Sequence, residues 1–288
     1  MVKHILVPVD GTPSDERALA AAFDLAGLFT AHVDVLHAHP DSRENLRLIG
    51  EGFSAEMLDT MLVEAERTTR ATADRARHAF DHAVTMAGAE VAERRRDGGG
   101  VTASWREEVG WPAVAVAAAG RLADLVLFAQ AAGNPQTMTL LEAALFDTGR
   151  PVLLTSAAAG VDAYRSVAIG WDGSLPAVRA ITAAMPFLRR AADVSILTVE
   201  EGTERMAAAH ATQLVEHLGW HGIDAVVRPA PRQDRTVGEA LVAATLAAQA
   251  GLLVMGGYAH SRFREMILGG ATRHVLGTPL ACSVLLAH

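Results

Sequence analysis

Two glycine pairs straddling one polar loop carry the clearest chemical pattern in the chain. Gly256-Gly257 closes the apolar run Leu252-Leu253-Val254-Met255, and Gly269-Gly270 precedes Ala271-Thr272. Glycine lets backbone N–H groups approach an anion with no Cβ in the way. A helix beginning near Gly270 would aim its unpaired N–H groups and the positive end of its dipole at the same place. Between the pairs, Tyr258, Ala259, His260, Ser261 and Arg262 include side chains able to donate to such an anion. The pattern fits a phosphate-holding loop, and it fits equally a tight strand-to-helix turn with no ligand.

Other chemistries find less support. Lys3 is the only lysine, which excludes a Walker A loop. The single cysteine, Cys282, excludes an intramolecular disulfide and a cysteine metal cluster, and its apolar surroundings fit a small core residue in a reducing compartment. His78 and His82 have the spacing of a helical zinc pair, but no third ligand or general-base glutamate is in frame, so an exposed helix face is expected. There is no Gly-x-Ser-x-Gly elbow, no His-Glu-x-x-His and no Ser-Gly-Gly-x-Asp-Ser loop, and no residue stands out as a general base. An enzyme is therefore not expected, beyond slow ATP hydrolysis. The formal net charge of −8 disfavours nucleic acid and anionic membranes as partners. No apolar run reaches membrane-spanning length, and the N-terminal one is too short for a signal peptide, so a soluble cytoplasmic protein is expected.

The elements that would position the loop read as alternating strands and helices. Ile5 to Val9 is a strand, and Thr12-Pro13-Ser14-Asp15 reads as a capping box opening an amphipathic helix to Phe29. Val33 to Ala38 is a second strand. Residues 41–96 have no strand character and read as two helices, ending in the solvated run Glu93-Arg94-Arg95-Arg96. Strands then follow at Val101–Trp105, Leu125–Ala129 and Pro151–Leu154, with helices from Gly110 to Leu122 and Leu140 to Asp147 between them. This alternation predicts a parallel sheet with helices on both faces.

The pattern then starts again. Ser166 to Ser174 repeats the form of Ile5 to Thr12, with Asp172 lying 162 positions after Asp10 (172 minus 10). Val194–Val199 echoes the second strand, Val237-Gly238-Glu239-Ala240 the helix start after Val109-Gly110, Ala250–Gly256 the fourth strand and Cys282–Leu286 the fifth. The chain therefore reads as a tandem duplication, residues 1–157 and 163–288, with the long helical insert in the first copy. Where the second copy has its glycine loop, the first has Ala129-Gln130-Ala131-Ala132-Gly133-Asn134-Pro135 and Leu141-Glu142-Ala143. If only one half binds an anion, it is the second.

On the opening Ile5-Leu6-Val7-Pro8-Val9-Asp10-Gly11, its echo at Val167–Ser174, the segment Leu253-Val254-Met255-Gly256 and the ending Cys282–Leu286, the chain resembles the universal stress proteins in their tandem two-domain form. The resemblance covers essentially the whole length. It implies an α/β fold of two doubly wound parallel five-stranded sheets, Rossmann-like and of the adenine-nucleotide alpha-hydrolase type, arranged as a pseudo-dimer. It implies a cytoplasmic stress-response regulator that binds an adenine nucleotide, ATP with Mg²⁺, in its second half and acts by changing conformation or partner. The alternative is a scaffold of the same fold that binds no nucleotide. The ATP-binding branch carries Gly-x2-Gly-x9-Gly-[Ser/Thr], which falls here on Gly256, Ala259, Gly269 and Gly270, so two of the four positions depart. Thr272 is a candidate substitute for the missing hydroxyl. Carried over by position, Asp172 would contact the adenosine, beside Gly170 and Trp171, and Val199 would line the base pocket. Asp172 and Asp10 also fit a turn or cap role, and Trp171 fits base stacking or packing between the halves. The last strand of each copy is expected to pair across a symmetric interface, between the halves, in a homodimer, or both.

Overall fold

The computed structural model describes residues 1–42, 53–94, 99–130, 134–156, 160–199, 204–257, 270–278 and 280–288. Of the residues singled out above, Tyr258, Ala259, His260, Ser261, Arg262 and Gly269 lie outside the described residues.

Strands alternate with helices in the expected order. The first half comprises β1 (His4–Val9), α1 (Ser14–Phe29), β2 (His32–His39), α2 (Ala55–Ala87), β3 (Glu90–Val91), β4 (Thr102–Val109), α3 (Pro112–Gly120), β5 (Leu125–Ala129), α4 (Pro135–Asp147) and β6 (Val152–Thr155). After a short 3-10 turn at Val161–Arg165 the second half repeats the plan. It runs through β7 (Ser166–Gly170), α5 (Leu175–Leu188), β8 (Asp193–Val199), α6 (Glu204–Trp220), β9 (Val226–Ala230), α7 (Val237–Ala247), β10 (Leu252–Gly256), α8 (Gly270–Gly277) and β11 (Ser283–Ala287).

Of the two helices expected in 41–96, the described residues hold one, α2, 33 residues long and followed by the short strand β3, while Ser42 is helical and residues 43–52 lie outside the described residues. No glycine or proline interrupts residues 55–87, so nothing breaks the helix until Gly88 closes it with φ 60°. The start of α1 is not a capping box. Pro13 stands at the cap position with no side-chain cap bond. The carboxylate of Asp15 instead turns back to accept from the Gly11 N–H at 2.8 Å and the Asp10 N–H at 3.3 Å. The two halves join as expected, through their last strands. β6 pairs antiparallel with β11, through Leu154↔Val284, Leu153↔Leu285 and Val152↔Leu286. The result is one eleven-stranded sheet in the order β3-β4-β2-β1-β5-β6-β11-β10-β7-β8-β9. The pseudo-dimer is thus a continuous sheet whose central seam is the one antiparallel pairing.

Because helices cover both faces, the strands are apolar on both. On one face β1, β2, β7 and β10 pack against α1, α2, α5 and α6 through Leu19, Phe80, Ala180 and Phe187, and Phe29 of α1 meets Phe187 of α5 edge-on at 5.1 Å. On the other, Leu6, Phe128, Leu253 and Leu286 pack against α3, α4, α7 and α8. Each such fully buried aliphatic or aromatic side chain contributes roughly 1.5–3 kcal/mol. Cys282 lies in this second core, and burial pushes its thiol up to about 11, so it is an unreactive packing residue. Among the polar side chains buried in the sheet is Asp34 on β2, which accepts from Arg106 Nη2 at 2.7 Å, Arg106 Nε at 3.1 Å and Ser104 Oγ at 3.0 Å. Burial alone would raise its pKa, but the bonds from His4 and Arg106 outweigh it and hold the carboxyl well below the usual range.

A true capping box appears at α7, where the Thr236 hydroxyl accepts from the Glu239 N–H and the Glu239 carboxylate accepts from the Thr236 N–H at 2.7 Å. Thr236→Ala is expected to cost about 1 kcal/mol, read as a lower urea midpoint with an unchanged slope.

Candidate functional site

In the second half the strand order runs β11-β10-β7-β8-β9, so the chain leaves β7 in one direction and later returns to its other side. The switch point lies between β7 and β10, where Met255 pairs with Gly170. In open doubly wound sheets ligands settle in the crevice outside the carboxyl ends of the strands at such a point. The residues expected to bind nucleotide converge there. Gly170, Trp171 and Asp172 leave β7, Gly256 ends β10, and Val199 ends β8, the next strand across, half-buried. Gly270 opens α8, placing that helix N-terminus at the far end of the glycine loop. α5 begins beside the same crevice, capped by Ser174, whose hydroxyl accepts from the Ala177 N–H at 3.3 Å. Two helix N-termini therefore flank one strand edge, an arrangement suited to negative charge.

The geometry revises the roles of several positions. Gly256 is required by packing: a Cβ there would lie 2.6 Å from the Ala177 N and 2.9 Å from the Pro176 carbonyl carbon. Gly238 serves the same end between α7 and α8, since its Cβ would lie 2.9 Å from the Cα of Ala271. Thr272 is buried at 2% exposure within α8, so its hydroxyl belongs to the packing of that helix. Trp171 is half-buried and packs against the core on the α5 face, its indole N–H buried with no hydrogen-bond partner among the described residues. Of its two readings, packing is the one seen. Asp172 is exposed and makes the turn expected of it, accepting from the Ser174 N–H through Oδ1 at 2.9 Å. Its other carboxylate oxygen has no protein partner among the described residues and faces a ligand's hydroxyl or amino group on equal terms with water. His78 and His82 are exposed on α2, and no group of three or more metal-binding side chains occurs among the described residues.

The equivalent crevice of the first half is built differently. Asp10 accepts from the Thr12 N–H at 3.1 Å and also from the Thr137 hydroxyl of α4 at 3.0 Å. Arg75 of α2 donates through Nε to the Gly11 carbonyl at 2.9 Å, and a Cβ on Gly11 would lie 2.5 Å from the Thr72 carbonyl oxygen. The insert helix thus packs directly onto the loop after β1. Gln130, at the position matching Gly257, accepts from the Leu280 N–H at 2.7 Å and donates to the Cys282 carbonyl at 3.0 Å, tying the halves together. Among the described residues, Asp10, the Gly11 carbonyl and the Gln130 side chain are thus already bonded within the protein. Sequence reasoning did not foresee Asp15, Thr137, Arg75 or Gln130. An acid in the first turn of a helix reads as a dipole partner, and the other three act across more than 60 residues.

Asp15 is 5% exposed, and burial together with the neighbouring Asp10 carboxylate pushes its pKa up to about 7. It holds the loop, and it lies too deep to reach a ligand.

Residues 1–129 match the model of the universal stress protein family. The match spans β1 to β5 of the first half. The whole chain also shares its fold with solved structures. A universal stress protein from Archaeoglobus fulgidus DSM 4304 is 18% identical at a TM-score of 0.67, with 99% of this chain and 97% of that chain covered. A putative universal stress protein from Pseudomonas aeruginosa UCBPP-PA14 is 15% identical at 0.57, covering 99% and 93%. A functionally unknown protein from Pseudomonas aeruginosa PAO1 is 15% identical at 0.56, covering 99% and 92%. No curated protein matches the sequence. The second half repeats the topology of the first strand for strand, apart from the two-residue β3. No described helix is long and apolar enough to cross a membrane.

Proposed function

We propose that this is a cytoplasmic stress-response regulator that binds one adenine nucleotide, ATP with Mg²⁺, in its second half and signals through a change of conformation or partner. The observation that carries this reading is the convergence of Asp172, Gly256 and the N-termini of α5 and α8 on the β7/β10 switch point, set against a first-half crevice already closed by Thr137, Arg75 and Gln130. Asp172 would hold the ribose or adenine, Val199 would line the base, and backbone N–H groups from Gly256 to Ala271 would hold the phosphates, with His260 and Arg262 adding donors. Mg²⁺ would arrive with the phosphates. Hydrolysis, with no general base in the crevice among the described residues, would be at most slow.

The test is to purify the protein without added ligand, denature it and identify what it releases. Near one ATP per chain is expected. Asp172→Ala, which removes one turn bond on the surface, is expected to leave the fold intact and weaken ATP about tenfold, the equivalent of one hydrogen bond. An empty wild type with no thermal shift in millimolar ATP and Mg²⁺ would end this reading and leave the alternative, a scaffold acting by assembly, in its place.

A further inference from the structure

A groove of about 760 Å³ runs between the two halves along the outer side of α5, and its lining includes Ala287 and His288, which meet Gly256 and Gly257 at the carboxyl edge of the second half. Its first-half wall is formed by the amino ends of β1, β5 and β6, at Val2, Asp124 and Pro151, and its second-half wall by α5 itself. Four arginines line it: Arg150 from the first half and Arg179, Arg189 and Arg190 from the second. In a chain with 33 acidic residues against 25 basic ones, the single acidic side chain in this groove is Asp124. That carboxylate is already committed, accepting from the backbone N–H groups of Lys3 at 2.7 Å and His4 at 3.1 Å. Arg150 donates its Nε–H to the Arg121 carbonyl at 2.9 Å, which leaves its terminal amino groups free. Arg179, Arg189 and Arg190 have no acidic partner among the described residues.

Helix electrostatics do not explain the set. A cation near the end of α5 complements its dipole, as Arg189 and Arg190 do, but Arg179 stands in the second turn, where the dipole disfavours it. The duplication reproduces only part of it: shifted by 162 positions, Arg179 corresponds to Arg17, whereas Arg189 and Arg190 correspond to Gly27 and Leu28 of α1. Arg179 and Arg190 are 11 residues apart on or just beyond one helix, roughly 16 Å at 1.5 Å per residue. That span exceeds a single phosphate and matches a chain of them. Planar guanidinium groups pair with phosphate oxygens in two-pronged fashion, and at a boundary between halves such an anion would touch both.

We infer that the groove is a second anion site, distinct from the nucleotide crevice, that takes a linear chain of phosphates bridging the two halves. Calorimetric titration of the full chain with inorganic tripolyphosphate tests it, because that probe carries the charge without a base or ribose. One saturable site per chain is expected, weakening as salt is raised from 50 to 200 mM. The double variant Arg179→Glu, Arg190→Glu changes only exposed side chains, so its fold is expected to be kept by circular dichroism while affinity falls at least tenfold. Saturating ATP, which fills the nucleotide crevice, is expected to leave this tripolyphosphate site open. Absence of saturable binding by the wild type, equal binding by the double variant, or full displacement of tripolyphosphate by ATP would overturn the assignment, the last by moving the anion to the nucleotide crevice.

Discussion

Replacing Asp15 by asparagine is expected to stabilise the protein at pH 8 by up to about 4 kcal/mol and to change it little at pH 4. The carboxyl is 5% exposed and sits against Asp10, and its pKa is raised from 3.8 to about 7. A group raised in the folded state favours folding while it stays protonated. Its contribution is therefore complete below pH 4 and is lost as pH climbs through about 7. At roughly 1.4 kcal/mol per unit, a rise of about three units gives the stated ceiling. Asparagine has nearly the same shape, keeps an oxygen to accept from the Gly11 N–H, and turns an amide donor toward the Asp10 carboxylate. Urea midpoints for both proteins at pH 4, 6 and 8 should diverge with rising pH. Parallel curves, or a variant weaker than the wild type at pH 8, would mean that the ionised carboxylate is welcome in the loop.

The second large effect separates two glycines that look alike in sequence. Gly256→Ala is expected to destabilise by about 2–4 kcal/mol, because its Cβ would press on the backbone of Pro176 and Ala177 in the first turn of α5. That turn is pinned by the Ser174 cap and cannot retreat. Gly257→Ala would meet the Leu145 Cδ2 at 3.3 Å, the movable end of a side chain, and is expected to cost under about 1 kcal/mol. Were both glycines present only to admit phosphate, neither variant would lose stability without ligand. Comparable losses in the two variants would show that the α5 contact is not what selects Gly256.

Much of this architecture was legible in the chain. Strand and helix order follows from apolar runs and turn residues, and the duplication from the matched Asp10 and Asp172 segments. The switch point, and with it the place of Asp172 and Gly256, follows from the same reading. What escaped depended on distance and burial. Nothing local to Gln130, Thr137 or Arg75 announces partners lying 150, 127 and 64 residues away. The burial of Asp15 was hidden because an acid early in a helix has an ordinary explanation.

The antiparallel seam has a consequence for how the molecule meets its surroundings. Strands within each half run the same way, and the β6/β11 pairing reverses direction between them, so the carboxyl ends of the two sets point to opposite poles of the sheet. The loop after β1, to which Arg75 ties α2, opens at one pole, and the Asp172 crevice opens at the other. Between β1 and β7 stand four hydrogen-bonded strands, β5, β6, β11 and β10, so a displacement of the loop after one is felt at the other as a shift of the sheet that joins them.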